Sequence, residues 1–122
     1  MKFYNKEIGN YGEELAAVYL KNCGYKIEER NYRCKLGEID IIAIKNNYIC
    51  FVEVKSRYDK KFGAPVFAVT HKKQVKLLQV AQIYMCHKKL FNCFYKFDIV
   101  EVLFNRLDDG YKINLIENAF GE

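Results

Sequence analysis

Three charged residues interrupt the apolar strand sequences in the middle of this 122-residue chain. In the segment GEIDIIAIKNNYICFVEVKSR, residues 37–57, they are Asp40, Glu53 and Lys55. Carboxylates on rigid strands are the hard oxygen ligands that Mg²⁺ or Mn²⁺ prefers, with water and a substrate phosphate completing the coordination. A lysine beside such a metal can stabilise a developing oxyanion or orient an attacking water. These residue types predict metal-assisted hydrolysis, provided that the fold brings the three side chains together.

The turn between the two strands of this segment sets their register. Asn46 and Asn47 occupy the turn, and asparagine tolerates the positive φ that a two-residue hairpin loop requires. If Lys45 and Tyr48 close the loop, the numbers of directly paired residues add up to 93. Side chains alternate between the two faces of a strand, so this pairing also decides which residues share a face.

The predicted register places Asp40 directly across from Glu53, and Glu38 directly across from Lys55, all on one face. Opposed Cβ atoms lie roughly 4.5–5.5 Å apart, so two carboxylates there destabilise the sheet unless a cation lies between them. A divalent metal bound by Asp40 and Glu53 would remove this conflict. A plain solvated face, on which Glu38 and Lys55 simply pair, fits the same register, and the residues alone leave both interpretations open.

Hydrophobic periodicity in the rest of the chain predicts the elements that must position these residues. A helix that ends at Gly24 is followed by three strands, a second helix capped by Thr70, and two strands joined near Asp109-Gly110. The order αβββαββ predicts one α/β domain over residues 1–122, an α/β sandwich with a mixed central sheet flanked by helices. The predicted segments are YNKEIGNYGEELAAVYLKNCG, YKIEERNYR, EIDIIAIK, YICFVEVKS, HKKQVKLLQVAQIYMCHKK, FYKFDIVEVLF and YKINLIENAF.

The second predicted helix combines an apolar stripe with a polar first turn. Lys73 and Gln74 lie in that turn, where free backbone N–H groups and the helix dipole favour an anion, so they are predicted phosphate contacts. A solvated helix face is the alternative. The stripe consists of Val75, Leu78, Ala81, Gln82 and Met85, and it is broadened by Leu77, Val80 and Tyr84.

The charge of the chain suits a polyanionic partner such as nucleic acid. Lysine and arginine outnumber aspartate and glutamate by 20 to 15, which gives a net charge of +5. Arg33 and Arg57 lie beside the acidic strands and are predicted phosphate contacts. Residues 57–69 have no clear period and form a predicted loop, in which Lys60 and Lys61 among aromatic residues suit contact with a DNA backbone and an unstacked base. A plain surface connection is the alternative interpretation of this loop.

Cysteine spacing and hydropathy favour a cytoplasmic protein. The five cysteines include no CxxC pair, which argues against a structural zinc site, and their odd number argues against a disulfide framework. No apolar run approaches the roughly 18 residues of a membrane span, and the charged start MKFYNKE is not a signal peptide. We therefore expect no membrane association.

Several motifs resemble one family of small bacterial proteins. The pattern D-x(n)-E-x-K, matched by Asp40, Glu53 and Lys55, resembles the PD-(D/E)XK nuclease superfamily, although Ile39 stands where the motif has proline. The segments NYGEELAAVYL, ERNYRCKLGEIDIIA, FVEVKSR and KFDIV look more closely like the YraN-type family of proposed endonucleases. The resemblance runs from about residue 8 to residue 102 and implies a restriction-endonuclease-like fold.

The resemblance also implies further site residues. Related archaeal Holliday-junction resolvases carry a glutamate on the first helix that completes the metal site, and Glu13 matches it. Without the resemblance, Glu13 would be interpreted as a solvated helix acid. Asp98 matches the aspartate of the family's FD motif, and we expect it to orient its neighbours rather than bind metal.

Together these features predict a metal-dependent DNA endonuclease. Asp40, Glu53 and Glu13 would hold Mg²⁺ or Mn²⁺, and Lys55 would support the nucleophile or the transition state. One small domain without an added recognition module suits structure-selective cleavage of duplex or branched DNA in repair or recombination, and a homodimer would supply two sites for two strands. The alternatives are a catalytically silent nucleic-acid-binding or scaffold protein, and a nucleotide phosphohydrolase, for which no Walker loop is present.

Overall fold

Five strands form one mixed sheet in the order β1-β2-β3-β4-β5. The computed structural model describes residues 5–58, 69–105 and 110–120, with the side chains of the first helix from residue 9 onward. The predicted order αβββαββ and the mixed sheet are confirmed, because β3 and β4 run parallel while the other neighbours are antiparallel. The elements are α1 (Asn5–Asn22), β1 (Lys26–Cys34), β2 (Gly37–Lys45), β3 (Tyr48–Tyr58), α2 (His71–His87), β4 (Phe94–Phe104) and β5 (Tyr111–Phe120).

The β2–β3 turn has the predicted conformation and register. Asn46 and Asn47 both have positive φ, 52° and 67°, as the two central residues of a type I′ turn require. Lys45 pairs with Tyr48, and the ladder continues from there to the pair of Ile41 and Val52. Asp40 and Glu53 lie one residue beyond that last pair, toward the open end of the hairpin, so their predicted direct pairing is not part of the ladder.

Each helix covers one face of the sheet. On β3, Cys50 and Val52 belong to the core that packs against α1, whereas Ile49 and Phe51 belong to the core that packs against α2. The strand is therefore buried on both sides, as expected for a central strand of an α/β sandwich. By the same alternation, Glu53 and Lys55 lie on the α2 face.

The predicted stripe of α2 was wrong in its centre. The buried residues are Leu77, Val80, Ala81 and Tyr84, at spacings of i, i+3, i+4 and i+7, whereas Val75 is 40% exposed. Apolar residues surround much of this helix, so periodicity alone did not show which side would meet the sheet. The docked face orients Lys73 in the first turn toward the acidic end of β3.

Helix α1 approaches the sheet closely at one glycine. A Cβ atom built on Gly12 would lie 1.7 Å from Ser56 Oγ and 2.8 Å from Ser56 Cβ on β3. Real Cβ contacts essentially never fall below 3.0 Å, so no larger residue fits here without moving the helix or the strand. Gly12 therefore sets the depth at which α1 rests on β3, and with it the position of the adjacent Glu13.

None of the helices within residues 5–58, 69–105 and 110–120 combines the length and apolarity that a membrane crossing requires.

Replacing Gly12 with alanine is expected to destabilise the protein by about 1–3 kcal/mol, since the added methyl group overpacks the α1–β3 contact. The matched control is Gly9→Ala in the same helix, where a Cβ would meet nothing within 4 Å. That change should stabilise the protein by about 0.5–1 kcal/mol through helix propensity alone. Urea denaturation of both variants measures the difference, and equal effects would contradict the assigned packing role.

Candidate active site

Asp40 and Glu53 meet at the end of the β2–β3 hairpin and are largely buried. The exposed fractions of the two residues are 9% and 8%, and their carboxyl groups are hydrogen-bonded to each other. Asp40 Oδ2 also accepts a hydrogen bond of 2.7 Å from the backbone N–H of Val54. A solvated sheet face, the alternative left open by the sequence, is therefore wrong for these two residues.

The shared environment raises the pKa of Asp40 to about 8. Burial is the largest cause, followed by the hydrogen bond to Glu53 and by the charge of that second carboxylate. The bond from the Val54 N–H acts in the opposite direction and is too weak to compensate. Because two adjacent buried carboxylates cannot both ionise at low cost, the pair retains a proton near neutral pH.

Two lysines border the acid pair. Lys73, from the first turn of α2, places its Nζ 2.6 Å from Glu53 Oε2. Burial alone would lower the pKa of Lys73, but its contact with Glu53 outweighs burial and the net shift is upward. The pKa of Lys55 is lowered, first by burial and next by the charge of neighbouring Lys73. The sequence predicted Lys73 as a phosphate contact and gave no sign of its pairing with Glu53.

The acid pair fits a hard divalent cation. Mg²⁺ is commonly held by one or two carboxylates while water and substrate phosphate fill its other positions, and Asp40 and Glu53 supply two converging carboxyl groups. A cation between them would also relieve the repulsion that raises the pKa of Asp40. Within the described residues, no three His, Cys, Asp or Glu side chains are placed to hold a metal ion together.

Glu13 is therefore not joined to the pair as a third ligand. Its carboxylate Oε1 lies 3.9 Å from Arg30 Nη2, and its charge still reaches Asp40, where it raises the pKa. Burial is the main cause that raises the pKa of Glu13 itself, and Arg30 counteracts it. Arg30 also accounts for the neighbouring Glu14, since its Nη1 donates to Glu14 Oε1 at 2.7 Å. Metal ligation by Glu13 stays a prediction.

The predicted pairing of Glu38 with Lys55 was wrong. Glu38 instead pairs with Arg33 across the β1–β2 ladder, where the two residues are in register. The β2–β3 ladder ends at the pair of Ile41 and Val52, so its register does not extend to position 38. Arg33 lies at the acidic end of the sheet with 76% of its side chain exposed, where contact with a phosphate stays a prediction.

Arg57 is held by a buried acid that the sequence did not single out. Glu101 on β4 is 0% exposed, and its Oε2 lies 3.1 Å from both Nε and Nη2 of Arg57. Asn114 on β5 donates to the other oxygen of Glu101 at 3.3 Å. Glu101 is in register with Lys55 in the parallel β3–β4 pair, so it shares the face of the acid site. The sequence does contain a signal for this buried acid, because Glu101 lies within the apolar strand segment DIVEVLF.

Asp98 orients neighbours, but on the opposite face. It is in register with Val52, whose side chain belongs to the α1 core. Its carboxylate accepts hydrogen bonds of 2.9 Å from the Tyr25 hydroxyl and from the backbone N–H of Asn118, and Lys96 Nζ lies 3.3 Å away. This cluster is separate from Asp40 and Glu53.

Of the remaining predicted DNA contacts, Gln74 lies within the described residues. Gln74 lies in the first turn of α2, and its Nε2 donates to the Val69 carbonyl at 2.9 Å. Thr70 caps the helix as predicted, since its hydroxyl accepts from the backbone N–H of Lys73 at 3.2 Å. Lys60 and Lys61 lie outside the described residues.

The sequence matches a family model over residues 12–102, which include the acid pair, both lysines and the α1 glutamate. The chain belongs to the family described as "Uncharacterised protein family UPF0102". It is 52% identical over 121 residues to a UPF0102 protein of Clostridium botulinum strain Hall, and 49% identical over 120 residues to one of Clostridium kluyveri. Each match covers 98% of both chains. The YraN-type resemblance is confirmed at the level of the family, whose description names no activity.

The raised pKa of Asp40 predicts a pH-dependent stability in the absence of divalent metal. Folded protein holds the Asp40 proton up to about pH 8, whereas the unfolded chain releases it near pH 4, so unfolding releases a proton between these values. Stability should therefore fall as pH rises from about 5 to 8, by about 4 kcal/mol from this group.

Urea unfolding in EDTA across this pH range tests the expectation. Asp40→Asn should lose this part of the slope, while Glu38→Gln, a more exposed acid on the same strand, should follow the wild type. Parallel curves for Asp40→Asn and wild type would contradict the raised pKa.

Proposed function

We propose that the protein is a metal-dependent DNA endonuclease of the PD-(D/E)XK type. The observation that carries the proposal is the buried pair of Asp40 and Glu53, joined at the open end of a hairpin and flanked by Lys55. Carboxyl groups that stay adjacent and buried, with a strongly raised pKa, are typical of functional sites. The net charge of +5 and the basic residues around the pair support a polyanionic substrate.

Asp40 and Glu53 would hold one Mg²⁺ or Mn²⁺ ion, with Glu13 assisting after a movement of its side chain. When bound, such an ion supplies an activated water and neutralises charge that develops on the phosphate. Lys55 lies on the same face, and its lowered pKa suits a group that takes up or donates a proton during attack. Arg57, oriented by Glu101 and partly exposed, is placed to contact a phosphate beside this site.

We further propose structure-selective cleavage of duplex or branched DNA in repair or recombination, in the cytoplasm. The described elements are two helices and one five-stranded sheet, and the charged groups at the acid site suit a phosphate backbone rather than base edges. A homodimer would supply a second site for the second strand. Binding without cleavage is the second candidate, and the ion pair of Lys73 with Glu53 favours it, because it neutralises an acid without any metal.

Cleavage assays on duplex, flap, fork and four-way DNA with Mg²⁺ or Mn²⁺ test the proposal. Asp40→Asn, Glu53→Gln and Lys55→Met should each lower the cleavage rate by roughly 100-fold or more, since each removes a group placed at the reacting phosphate. Glu14→Gln is the control, because Glu14 is 65% exposed and lies one position from Glu13. Binding without cleavage on every substrate would favour the silent alternative.

The position of the DNA can be tested independently of cleavage. Two basic residues of β1 lie about 23 Å apart along the strand: Arg33 at the acidic end, and Lys26 at the far end. With Asp40→Asn protein in EDTA, log Kd against log salt should be steep, and Arg33→Ala should reduce the slope by about one, since one phosphate contact is lost. Lys26→Ala should leave the slope unchanged, and equal effects of the two changes would place the DNA elsewhere.

A further inference from the structure

Lys73 contacts one of the two carboxyl groups that would hold a metal ion. Its Nζ lies 2.6 Å from Glu53 Oε2, and Glu53 in turn is hydrogen-bonded to Asp40. The ammonium group is thus a positive charge in direct contact with the acid pair. A metal ion held by both carboxylates would compete with this ammonium group, because the two cannot contact Glu53 Oε2 at the same time.

Lys73 keeps this position against a cost. Its side chain is 46% exposed and could extend into water, yet it lies beside Lys55, which also carries a positive charge. Two neighbouring ammonium groups repel each other, so the contact with Glu53 must outweigh that repulsion. The Thr70 hydroxyl accepts a hydrogen bond from the backbone N–H of Lys73, so the N-cap of α2 fixes the point from which the Lys73 side chain extends.

There is also space into which Lys73 can move. A cavity of about 170 Å³ lies beside it, between α2 and the start of β2. Glu38, Lys73 and Lys76 contribute to its lining. The cavity adjoins the acid site on the side where Arg33 is exposed, so a displaced Lys73 would stay close to an incoming phosphate.

We propose that Lys73 serves as an exchangeable internal counterion, which neutralises Glu53 in the metal-free protein, leaves it when a divalent cation binds, and then contacts the substrate phosphate. The inference rests on the proposed function for the identity of the substrate, but its first half concerns metal binding alone. Lys73 would in this way couple metal binding to DNA binding.

Removing the ammonium group of Lys73 should strengthen metal binding, although Lys73 is itself a residue of the site. In Lys73→Met the apolar stem is retained and the competing charge is lost. We expect Mn²⁺ to bind roughly tenfold more tightly to this variant than to the wild type, since no ion pair has to be broken. The same variant should bind DNA more weakly in the presence of a non-cleaving cation such as Ca²⁺.

Titration calorimetry with Mn²⁺ alone, without DNA, measures the first effect. Lys76→Met is the matched control, because Lys76 lies one turn along α2 and lines the same cavity. It removes an equal charge nearby and should change the Mn²⁺ affinity by less than about twofold. Equal strengthening in both variants would reduce the effect to general electrostatics and overturn the proposal, as would an unchanged or weaker affinity in Lys73→Met.

Thermal unfolding with and without Mn²⁺ covers the case in which Lys73→Met loses stability. The variant should melt at a lower temperature than the wild type in EDTA, where Glu53 has lost its counterion, and should show the larger increase on addition of Mn²⁺. An increase no larger than that of the wild type would overturn the proposal. Mn²⁺ binding to neither protein would overturn it as well.

The outcome also separates this inference from the proposed function. If Lys73→Met binds Mn²⁺ more tightly but no variant cleaves DNA, the counterion exchange stands and the nuclease assignment fails. If the wild type cleaves DNA and Lys73→Met shows no gain in Mn²⁺ affinity, the nuclease assignment stands and the counterion exchange fails.

Discussion

Two buried carboxyl groups that meet at the open end of the β2–β3 hairpin are the constraint on which the rest of the site depends. The asparagine turn fixes the register as far as Ile41 and Val52, and Asp40 and Glu53 follow directly beyond that pair in a place that water barely reaches. A buried carboxylate pair is costly unless positive charge or a proton compensates it. The surrounding elements supply both, because α2 brings Lys73 to Glu53 and Asp40 retains its proton up to about pH 8.

The other buried acids of the sheet show why this pair stands apart. Asp98 receives two hydrogen bonds and a lysine, and Glu101 receives an arginine and an asparagine. Their partners come from the chain itself and leave little for an external cation to improve, as is usual for satisfied polar groups inside a protein. Asp40 and Glu53 instead share a proton and a lysine that reaches them from a partly exposed position. Among the buried acids that the structure describes, this pair is therefore the one at which we propose that a metal ion binds.

Local sequence signals predicted most of the fold, but they did not predict how α2 packs against the sheet. The turn at Asn46 and Asn47 and the order of the elements followed from short-range patterns, and the register was correct as far as Ile41 and Val52. The proximity of Asp40 and Glu53 followed from their places just beyond that pair. The same register was extended too far at Glu38, because the ladder ends sooner and β1 offered Arg33. The pairing of Lys73 with Glu53 depends on how α2 rotates against the sheet, and an almost all-round apolar helix does not reveal that rotation.

The origin of the counterion has a consequence for how the site assembles. Asp40 and Glu53 are close in sequence and meet within one hairpin. Lys73 can reach Glu53 only after α2, which follows β3 in the chain, has packed against the sheet. Local contacts tend to form before those that close long loops. The two carboxyl groups would therefore lose their hydration only when α2 docks, and the contact with Lys73 would form in that same late step. A contact made that late slows unfolding without speeding folding. The ion pair of Lys73 with Glu53 would therefore lower the unfolding rate of the protein and leave its folding rate unchanged.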